Sequence, residues 1–330
     1  MMSRATRTAL AILGLGFLVA AFTAEAQGPR NIPRIGVLAS LAEDRAPEMA
    51  DAFRRGMRDL GYVQGRTIVI EWRSVGDRPE RLPALAAELV KLKVDVIVAP
   101  SNTAVAAAKK ATATIPIVMV LASDPVALGF VESLARPGRN VTGLTSQATD
   151  LTAKRLQLLK EAVPQLSRLA ILVDPSEPDR LDQARHTQAA AREFELDVQL
   201  VEVRSPGELD AAFAAVTRHG AGGVLYGASA MFLSQRAQLA QHALKRQLPT
   251  LCFAPHYVES GCLMSYSADF VRLYRRAAYF VDRLLKGSKP GDLPVEQPTE
   301  FRLAINLKTA KALGMTMPAN IVTLADEVIQ

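Results

Sequence analysis

The segment VDVIVAPSNTAVAAAKKAT, residues 94–112, contains the unit that decides the fold. Residues 95–99 are mostly apolar and β-branched, which predicts a short buried strand. Residues 102–112 are rich in alanine, which predicts a helix. Only the residues PSNT, 100–103, mark the junction, so the strand runs almost directly into the helix. This strand-to-helix unit is typical of a parallel sheet that is covered by helices on both faces.

The same alternation extends along the chain and divides it into two similar halves. In the first half the predicted strands are 34–39, 67–72, 95–99, 117–121 and 141–144, and the predicted helices are 47–60, 80–91, 102–112 and 126–135. In the second half, strands 169–173, 197–203, 223–226, 250–253 and 262–266 alternate with helices 151–163, 179–194, 208–218, 232–246 and 269–286. A strand at 299–306 and a short helix to Leu313 follow. The sequence thus predicts an α/β fold of two doubly wound lobes with a cleft between them.

The first 26 residues have the composition of a secretory signal peptide. Arg4 and Arg7 precede an uncharged apolar run at 9–22, and Ala24-Glu25-Ala26 supplies the small-x-small pattern of a cleavage site. The apolar run is shorter than the roughly 20 residues that a membrane span needs. We expect cleavage after Ala26 and a periplasmic mature chain, and an uncleaved membrane anchor is the alternative.

Composition indicates a globular protein without a nucleic-acid-binding surface. Of the 330 residues, 49% are hydrophobic and 22% charged, and the formal net charge is +6. Basic residues are interleaved with acidic ones instead of forming basic runs, which disfavours nucleic acid as a partner. Cys252 and Cys262 are the two cysteines, and their apolar surroundings slightly favour buried free thiols over a disulfide.

The motifs of the common enzyme classes are missing from the sequence. Ser101 follows a strand, but its neighbours lack the glycines of the Gly-x-Ser-x-Gly nucleophile elbow. The first strand is followed by neither a Gly-x-Gly-x-x-Gly nor a Gly-Lys-Ser/Thr phosphate loop. None of the four histidines has a partner at metal-ligand spacing, and we expect them to face solvent; they are His186, His219, His242 and His256. We therefore expect no catalysis, no cofactor and no metal.

Small polar residues follow the ends of several strands, which is where ligands bind in open α/β sheets. The candidate ligand-binding residues are Ser40, Ser101, Asn102, Thr103, Asp124, Ser146, Asp174 and Tyr226. Most carry hydroxyl or amide groups, which suit a small polar ligand. The free N–H groups at nearby helix N-termini favour an anionic group such as a carboxylate.

Three of these candidates also have a purely structural interpretation. Asp124 precedes a predicted helix, so its carboxylate either caps that helix or pairs with an ammonium group of the ligand. Asp174 presents the same choice. Tyr226 either contacts the ligand or packs against a neighbouring helix.

Three long stretches resemble a known family of exported proteins. They are GMRDLGYVQGRTIVIEWRSVGDRPERLPALAAELVKLKVDVIVAP at 56–100, ATIPIVMVLASDPVALGFVESLARPGRNVTGLT at 113–145, and INLKTAKALGMTMPANIVTLADEVIQ at 305–330. They resemble the substrate-binding proteins of ABC transporters that are related to tryptophan- and tyrosine-binding members. The resemblance covers essentially the whole mature chain.

This resemblance implies the type I periplasmic-binding-protein fold, in which two Rossmann-like lobes are joined by three crossovers and close on the ligand by a hinge. It implies one lobe of 33–145 and 269–290 and a second lobe of 146–268 and 295–330, and it divides the candidates above between the ligand-binding walls of the two lobes. In this interpretation Ser40, Ser101–Thr103 and Asp124 line the first wall, while Ser146, Asp174 and Tyr226 line the second.

The resemblance also implies a function and a set of partners. We expect a monomeric solute-binding protein of an ABC importer that binds an amino acid or related carboxylate between its lobes and delivers it to a membrane permease and ATPase. Two alternatives from other classes are an exported α/β enzyme that uses the same cleft and a ligand-sensing domain of a membrane receptor.

Overall fold

Five parallel strands form the first sheet of this computed structural model. Strand β1 (Arg34–Ala39) pairs with β2 (Val69–Ser74) on one side and with β3 (Val96–Ala99) on the other. Beyond β3 lie β4 (Ile117–Ala122) and β5 (Val141–Thr145), which gives the order β2-β1-β3-β4-β5. Because all pairings are parallel, the carboxyl ends of the strands lie along one edge of the sheet.

Seven strands form the second sheet. They are β6 (Arg168–Val173), β7 (Asp197–Glu202), β8 (Gly223–Tyr226), β9 (Thr250–Cys252), β10 (Met264–Ala268), β11 (Phe301–Asn306) and β12 (Glu327–Ile329). Their order is β12-β11-β10-β9-β8-β6-β7, and every pairing except that of β10 with β11 is parallel. These two helix-covered sheets confirm the prediction of a two-lobe α/β fold.

Twelve α-helices lie in the part of the chain that the structure describes, namely residues 32–39, 47–76, 78–148, 151–176 and 178–330. Three helices precede the end of the first sheet along the chain, namely α1 (Pro47–Asp59), α2 (Leu82–Lys91) and α3 (Asn102–Ala111). The other nine are α4 (Thr152–Ala162), α5 (Pro178–Ala191), α6 (Leu209–His219), α7 (Ala230–Ser234), α8 (Arg236–Lys245), α9 (Pro255–Glu259), α10 (Phe270–Leu285), α11 (Leu307–Ala312) and α12 (Ala319–Leu324).

None of these helices combines the length and apolarity that crossing a membrane requires. The predicted signal peptide and Ser40 lie outside the described residues.

Helix α10 leaves the second sheet and packs against the first. It contacts α1, β4 and β5, and it buries Leu273, Ala277 and Val281. The approach to α1 is close because Gly56 has no side chain: a Cβ atom there would lie 2.4 Å from the Arg275 carbonyl oxygen. The chain then runs beside β5, where the Glu296 N–H donates to the Gly143 carbonyl oxygen at 2.9 Å. The chain therefore returns to the second sheet after Glu296, and the lobe bounds expected from the sequence stay a prediction.

The predicted helix at 126–135 is wrong. The structure has a series of turns there, in which the Phe130 N–H donates to the Pro125 carbonyl oxygen at 2.8 Å. Gly129 has a φ of 64°, a left-handed conformation that interrupts a right-handed helix. Phe130 and Val131 in this segment are nevertheless buried.

The preference for free thiols is also wrong, because Cys252 and Cys262 form a disulfide. Their Cα atoms lie 6.5 Å apart. Cys252 ends β9 and Cys262 precedes β10, and these two strands are parallel neighbours in which Leu251 pairs with Met264. The short helix α9 between them brings the chain back to the start of β10, a return that the spacing of the cysteines does not reveal.

Candidate functional site

The junction between β3 and α3 is held by side-chain hydrogen bonds. Ser101 caps α3, since its Oγ accepts a hydrogen bond from the Ala104 N–H at 3.2 Å. The Thr103 hydroxyl lies 3.0 Å from the same Oγ. The capped helix begins at the carboxyl edge of the first sheet, so its N-terminal dipole lies where a ligand can approach that edge.

Asn102 joins this junction to the end of the neighbouring strand β4. Its side chain is buried; its Nδ2 donates to the Ser123 Oγ at 2.6 Å, and its Oδ1 accepts from the Ser123 N–H at 3.1 Å. A pair of hydrogen bonds between one amide and one serine fixes the two strand ends relative to each other. Asn102 therefore positions the first-sheet edge.

Asp124 and Ser146 lie at the same edge. The Asp124 carboxylate is exposed, and its Oδ1 accepts from the Ala127 N–H at 3.1 Å, so it caps a turn and not the helix that we expected. Ser146 is buried after β5, and its N–H donates to the Ala122 carbonyl oxygen at the end of β4 at 2.8 Å. Ser146 thus lies beside the first sheet, although we expected it on the wall of the second lobe.

Asp174 forms a buried network at the carboxyl edge of the second sheet. Its Oδ1 accepts from the Ser176 N–H at 3.0 Å and from the Ser176 Oγ at 2.7 Å, and its Oδ2 accepts from the Ser229 Oγ at 2.6 Å. The network links the ends of β6 and β8. The structure therefore gives Asp174 a positioning role in addition to any contact with a ligand.

Tyr226 ends β8 and is almost fully buried, with 1% of its surface exposed. Its hydroxyl donates to the Leu239 carbonyl oxygen at 3.0 Å, and its ring lies 6.2 Å from the Tyr257 ring. Burial raises the pKa of the Tyr226 hydroxyl far above its ordinary value, so the group is neutral. The hydrogen bond to Leu239 satisfies the Tyr226 hydroxyl, and the residue also lines a cavity.

That cavity lies between the carboxyl ends of β6, β8 and β9 and the first turns of α4 and α5. Its interior offers about 40 Å³ that water-sized spheres can occupy, and the space between the lining residues is about 510 Å³ when the open solvent at the mouth is included. Tyr226 and Phe253 form part of an apolar lining, and Arg155 and Arg180 contribute guanidinium groups. An apolar lining with a few polar groups is the usual composition of a small-molecule site.

Arg155 was missed by the sequence reasoning. It lies in α4 at a position where helical spacing predicts an apolar residue, four residues after Leu151 and four before Leu159. A charged residue within an apolar stripe is the signal that could have found it, because burying a charge has a high energetic cost. Burial lowers the pKa of Arg155 to about 10, which leaves it charged at neutral pH.

Three of the four histidines lie beside carboxylates instead of facing solvent. His219 lies 3.5 Å from Asp197, His242 lies 3.4 Å from Asp210, and His256 of α9 lies 3.2 Å from Glu48 of α1. The partners are distant in sequence, so spacing could not indicate them. Among the described residues, no group of three or more His, Cys, Asp or Glu side chains is arranged to hold a metal ion.

Comparison with known proteins supplies a family and several relatives. Residues 34–329 match the family model described as "ABC transporter substrate binding protein". A relative named "Tyrosine-binding protein" from Clostridioides difficile strain R20291 is 28% identical over 282 residues, which cover 85% of this chain and 81% of the relative.

Two solved structures show the same fold at low sequence identity. The ABC domain in complex with L-Trp from Streptococcus pneumoniae is 24% identical, with a TM-score of 0.83, and the match covers 90% of this chain and 99% of that one. A ligand-free, open substrate-binding protein with adhesive properties from Clostridium difficile is 23% identical, with a TM-score of 0.67, and the match covers 91% of this chain and all of that one. These findings confirm the resemblance seen in the sequence.

Proposed function

This chain belongs to the family of ABC transporter substrate-binding proteins, and from that premise we propose that it serves an importer of amino acids or related carboxylates. The match over residues 34–329 carries the proposal, because it spans both sheets and the segments that join them. The family consists of solute-binding proteins and not of enzymes. The expected alternative of an exported enzyme is therefore set aside.

The proposed ligand class rests on the relatives and on the chemistry of the strand ends. One relative is named for binding tyrosine, and one solved structure of the same fold holds L-Trp. The polar groups at the first-sheet edge and the apolar lining of the cavity at the second-sheet edge suit a solute with both polar and apolar parts. An aromatic amino acid has this composition.

The proposed mechanism is hinge closure of two lobes around the solute. We place the first lobe at 33–145 with 269–290 and the second at 146–268 with 295–330. Closure would shift the population toward the state in which both edges contact the solute. The closed lobes would present the surface that a membrane permease and its ATPase recognise, and the protein would act as a monomer without nucleic acid.

The proposed location is outside the cytoplasm, in the periplasm. Substrate-binding proteins of ABC transporters are extracytoplasmic, and the first 26 residues have the pattern of a signal peptide. We propose cleavage after Ala26. Export is also compatible with the disulfide between Cys252 and Cys262, because disulfides persist in oxidising compartments.

Solute binding is tested by thermal unfolding of the mature chain, starting at Gln27, with a panel of L-amino acids, small carboxylates and neutral sugars. A solute present at 100 times its Kd stabilises the folded state by about 2.7 kcal/mol, which corresponds to a rise in Tm of about 5 °C. We expect this rise with at least one amino acid or carboxylate, and D-tryptophan serves as the stereochemical control. No stabilisation by any compound, together with turnover of one of them, would contradict the proposal.

The assignment of the first-sheet edge is tested separately with Ser101→Ala and Asp124→Ala. Each variant removes a polar group from the proposed wall, and we expect each to weaken binding of the stabilising solute about tenfold. Thr114→Ala, just beyond the other end of α3, is the matched control and should leave Kd unchanged. If calorimetry finds unaltered affinity in both variants, these residues do not contact the solute, whereas the transport function stands.

A further inference from the structure

The guanidinium group of Arg155 is buried but only partly hydrogen-bonded. The residue is 7% exposed. Its Nε donates to the Tyr266 carbonyl oxygen at 2.7 Å, and its Nη1 donates to the Ala148 carbonyl oxygen at 2.8 Å. An arginine has five N–H donors, so three of them have no acceptor among the described residues. No Arg155 nitrogen is among the fully buried polar atoms of the described residues that lack a partner, so Nη2 reaches space where a ligand can accept a hydrogen bond.

The positive charge of Arg155 also has no counter-charge. No described carboxylate oxygen lies within 4.0 Å of its guanidinium nitrogens, whereas other arginines such as Arg275 and Arg276 form ion pairs. Its ring contact is with Phe253, whose centroid lies 5.4 Å from the Arg155 Cζ. Two carbonyl groups and a ring face compensate a buried charge only in part, because the group has lost its hydration.

Arg155 itself lines the cavity at the second-sheet edge. Arg155 and Thr152, both from the first turns of α4, are among its lining residues. Leu151, which precedes α4, has no side-chain cap to offer, so the helix dipole adds to the positive potential there. Tyr226 and Phe253 supply the apolar part of the same lining. A buried cation with free donors and an adjoining apolar surface together match a ligand that has both a carboxylate and an apolar side chain.

We propose that Arg155 binds the carboxylate of the transported solute through the N–H donors that the two carbonyl groups leave free. The inference rests on the proposed function and assigns one part of its ligand site. In this role the planar guanidinium would hold the two carboxylate oxygens side by side, a geometry that lysine cannot reproduce. Phe253 would hold the guanidinium plane in place from one side.

A purely structural role is the competing explanation, and the test must separate the two. The carbonyl groups that Arg155 contacts belong to Ala148, which follows the first sheet, and to Tyr266 of β10. Arg155 thus also connects two segments that lie near the places where the chain crosses from one sheet to the other. Loss of this connection would weaken binding of every solute, whatever its charge. Loss of a carboxylate contact would weaken only the binding of carboxylates.

The test compares L-tryptophan with L-tryptophanamide, and L-tyrosine with L-tyrosinamide, by calorimetry on the wild-type protein, Arg155→Met and Arg155→Lys. We expect Arg155→Met to lower the affinity for each acid about 100-fold but the affinity for each amide less than about threefold. Arg155→Lys keeps the positive charge, and we expect its affinity for each acid to lie between those of the wild-type protein and Arg155→Met. Arg236→Met, a partly buried arginine of α8 bonded to Ser260 and Leu233, is the control. An equal loss for acid and amide overturns the proposal.

A second arm uses acetate alone and does not depend on which solute is transported. In the wild-type protein, acetate should raise Tm by about 2 °C more than chloride at the same ionic strength, and Arg155→Met should abolish that difference. If acetate stabilises both proteins equally or neither, the carboxylate subsite is refuted. If acetate behaves as expected while no amino acid binds, the subsite stands and the amino-acid assignment of the proposed function fails.

Discussion

Replacement of Gly143 by alanine is expected to lower the free energy of unfolding by about 4 kcal/mol. Gly143 lies in β5 with a φ of 123°, a conformation that side chains with a Cβ rarely adopt. An added Cβ would lie 2.1 Å from the Met119 carbonyl oxygen and 2.8 Å from the Met119 nitrogen. These are backbone atoms of β4, so the clash is relieved only by separating the two strands.

The position explains why such a glycine is needed. The register of β4 against β5 shifts between Met119 and Ala122, and the strands approach closely at this irregularity. The Gly143 carbonyl oxygen also accepts from the Glu296 N–H, which holds the segment that returns to the second sheet. Alanine at this position would therefore disturb both β5, the edge strand of the first sheet, and the segment that returns from there to the second sheet.

Urea denaturation followed by circular dichroism measures the effect, and Gly129→Ala is the matched control. Gly129 also has a positive φ, of 64°, but a Cβ there meets no atom within 4 Å. We expect the control to lose only about 1–2 kcal/mol, the cost of the left-handed conformation. A difference of less than 1 kcal/mol between the two variants would show that the steric contact with Met119 does not limit stability.

Gly56→Ala should destabilise the protein by about 3 kcal/mol, although alanine is the better helix former by about 1 kcal/mol. Gly56 lies in the middle of α1, and a Cβ there would lie 2.4 Å from the Arg275 carbonyl oxygen and 2.8 Å from the Ala278 Cβ of α10. Helix propensity and packing thus predict opposite signs. The sign of the measured change decides between them.

Arg55→Ala tests propensity alone, because Arg55 is an exposed neighbour on the same helix. We expect its effect on the free energy of unfolding to stay within about 0.5 kcal/mol. Stabilisation by Gly56→Ala in the same denaturation experiment would mean that α1 and α10 separate without cost. A loss confined to Gly56→Ala would establish the close approach of the two helices.

The strands of both sheets could be predicted because buried parallel strands appear as short apolar runs between helices. Runs such as 95–99 and 169–173 are apolar on both faces, and the structure places β3 and β6 there. The antiparallel pairing of β11 with β10 and the addition of β12 beside β11 could not be predicted, because both depend on pairing between segments that are distant in sequence. The error at 126–135 has a local cause, because Gly129 adopts a left-handed conformation that interrupts a helix.

The candidate site was predictable to the extent that it consists of strand ends. Ser101 and Asn102 were found because they follow β3, and the structure adds the bond that joins Asn102 to Ser123. Whether these residues touch a solute stays a prediction. Arg155 could not be found by the same rule, because it reaches the second-sheet edge from a helix. Its neighbours in space, Tyr266 and Phe253, lie about a hundred residues further along the chain.

The path of α10 has a consequence for the order in which the protein folds. The face of α1 that contains Gly56 is covered by α10, whose Arg275 lies 216 residues after its partner Asp59. When the chain is synthesised from its N-terminus, the first sheet emerges early but waits for residues 270–285 to bury this face. Contacts of such long sequence separation slow folding. The half of the molecule that is made first is thus completed only when the chain is nearly finished.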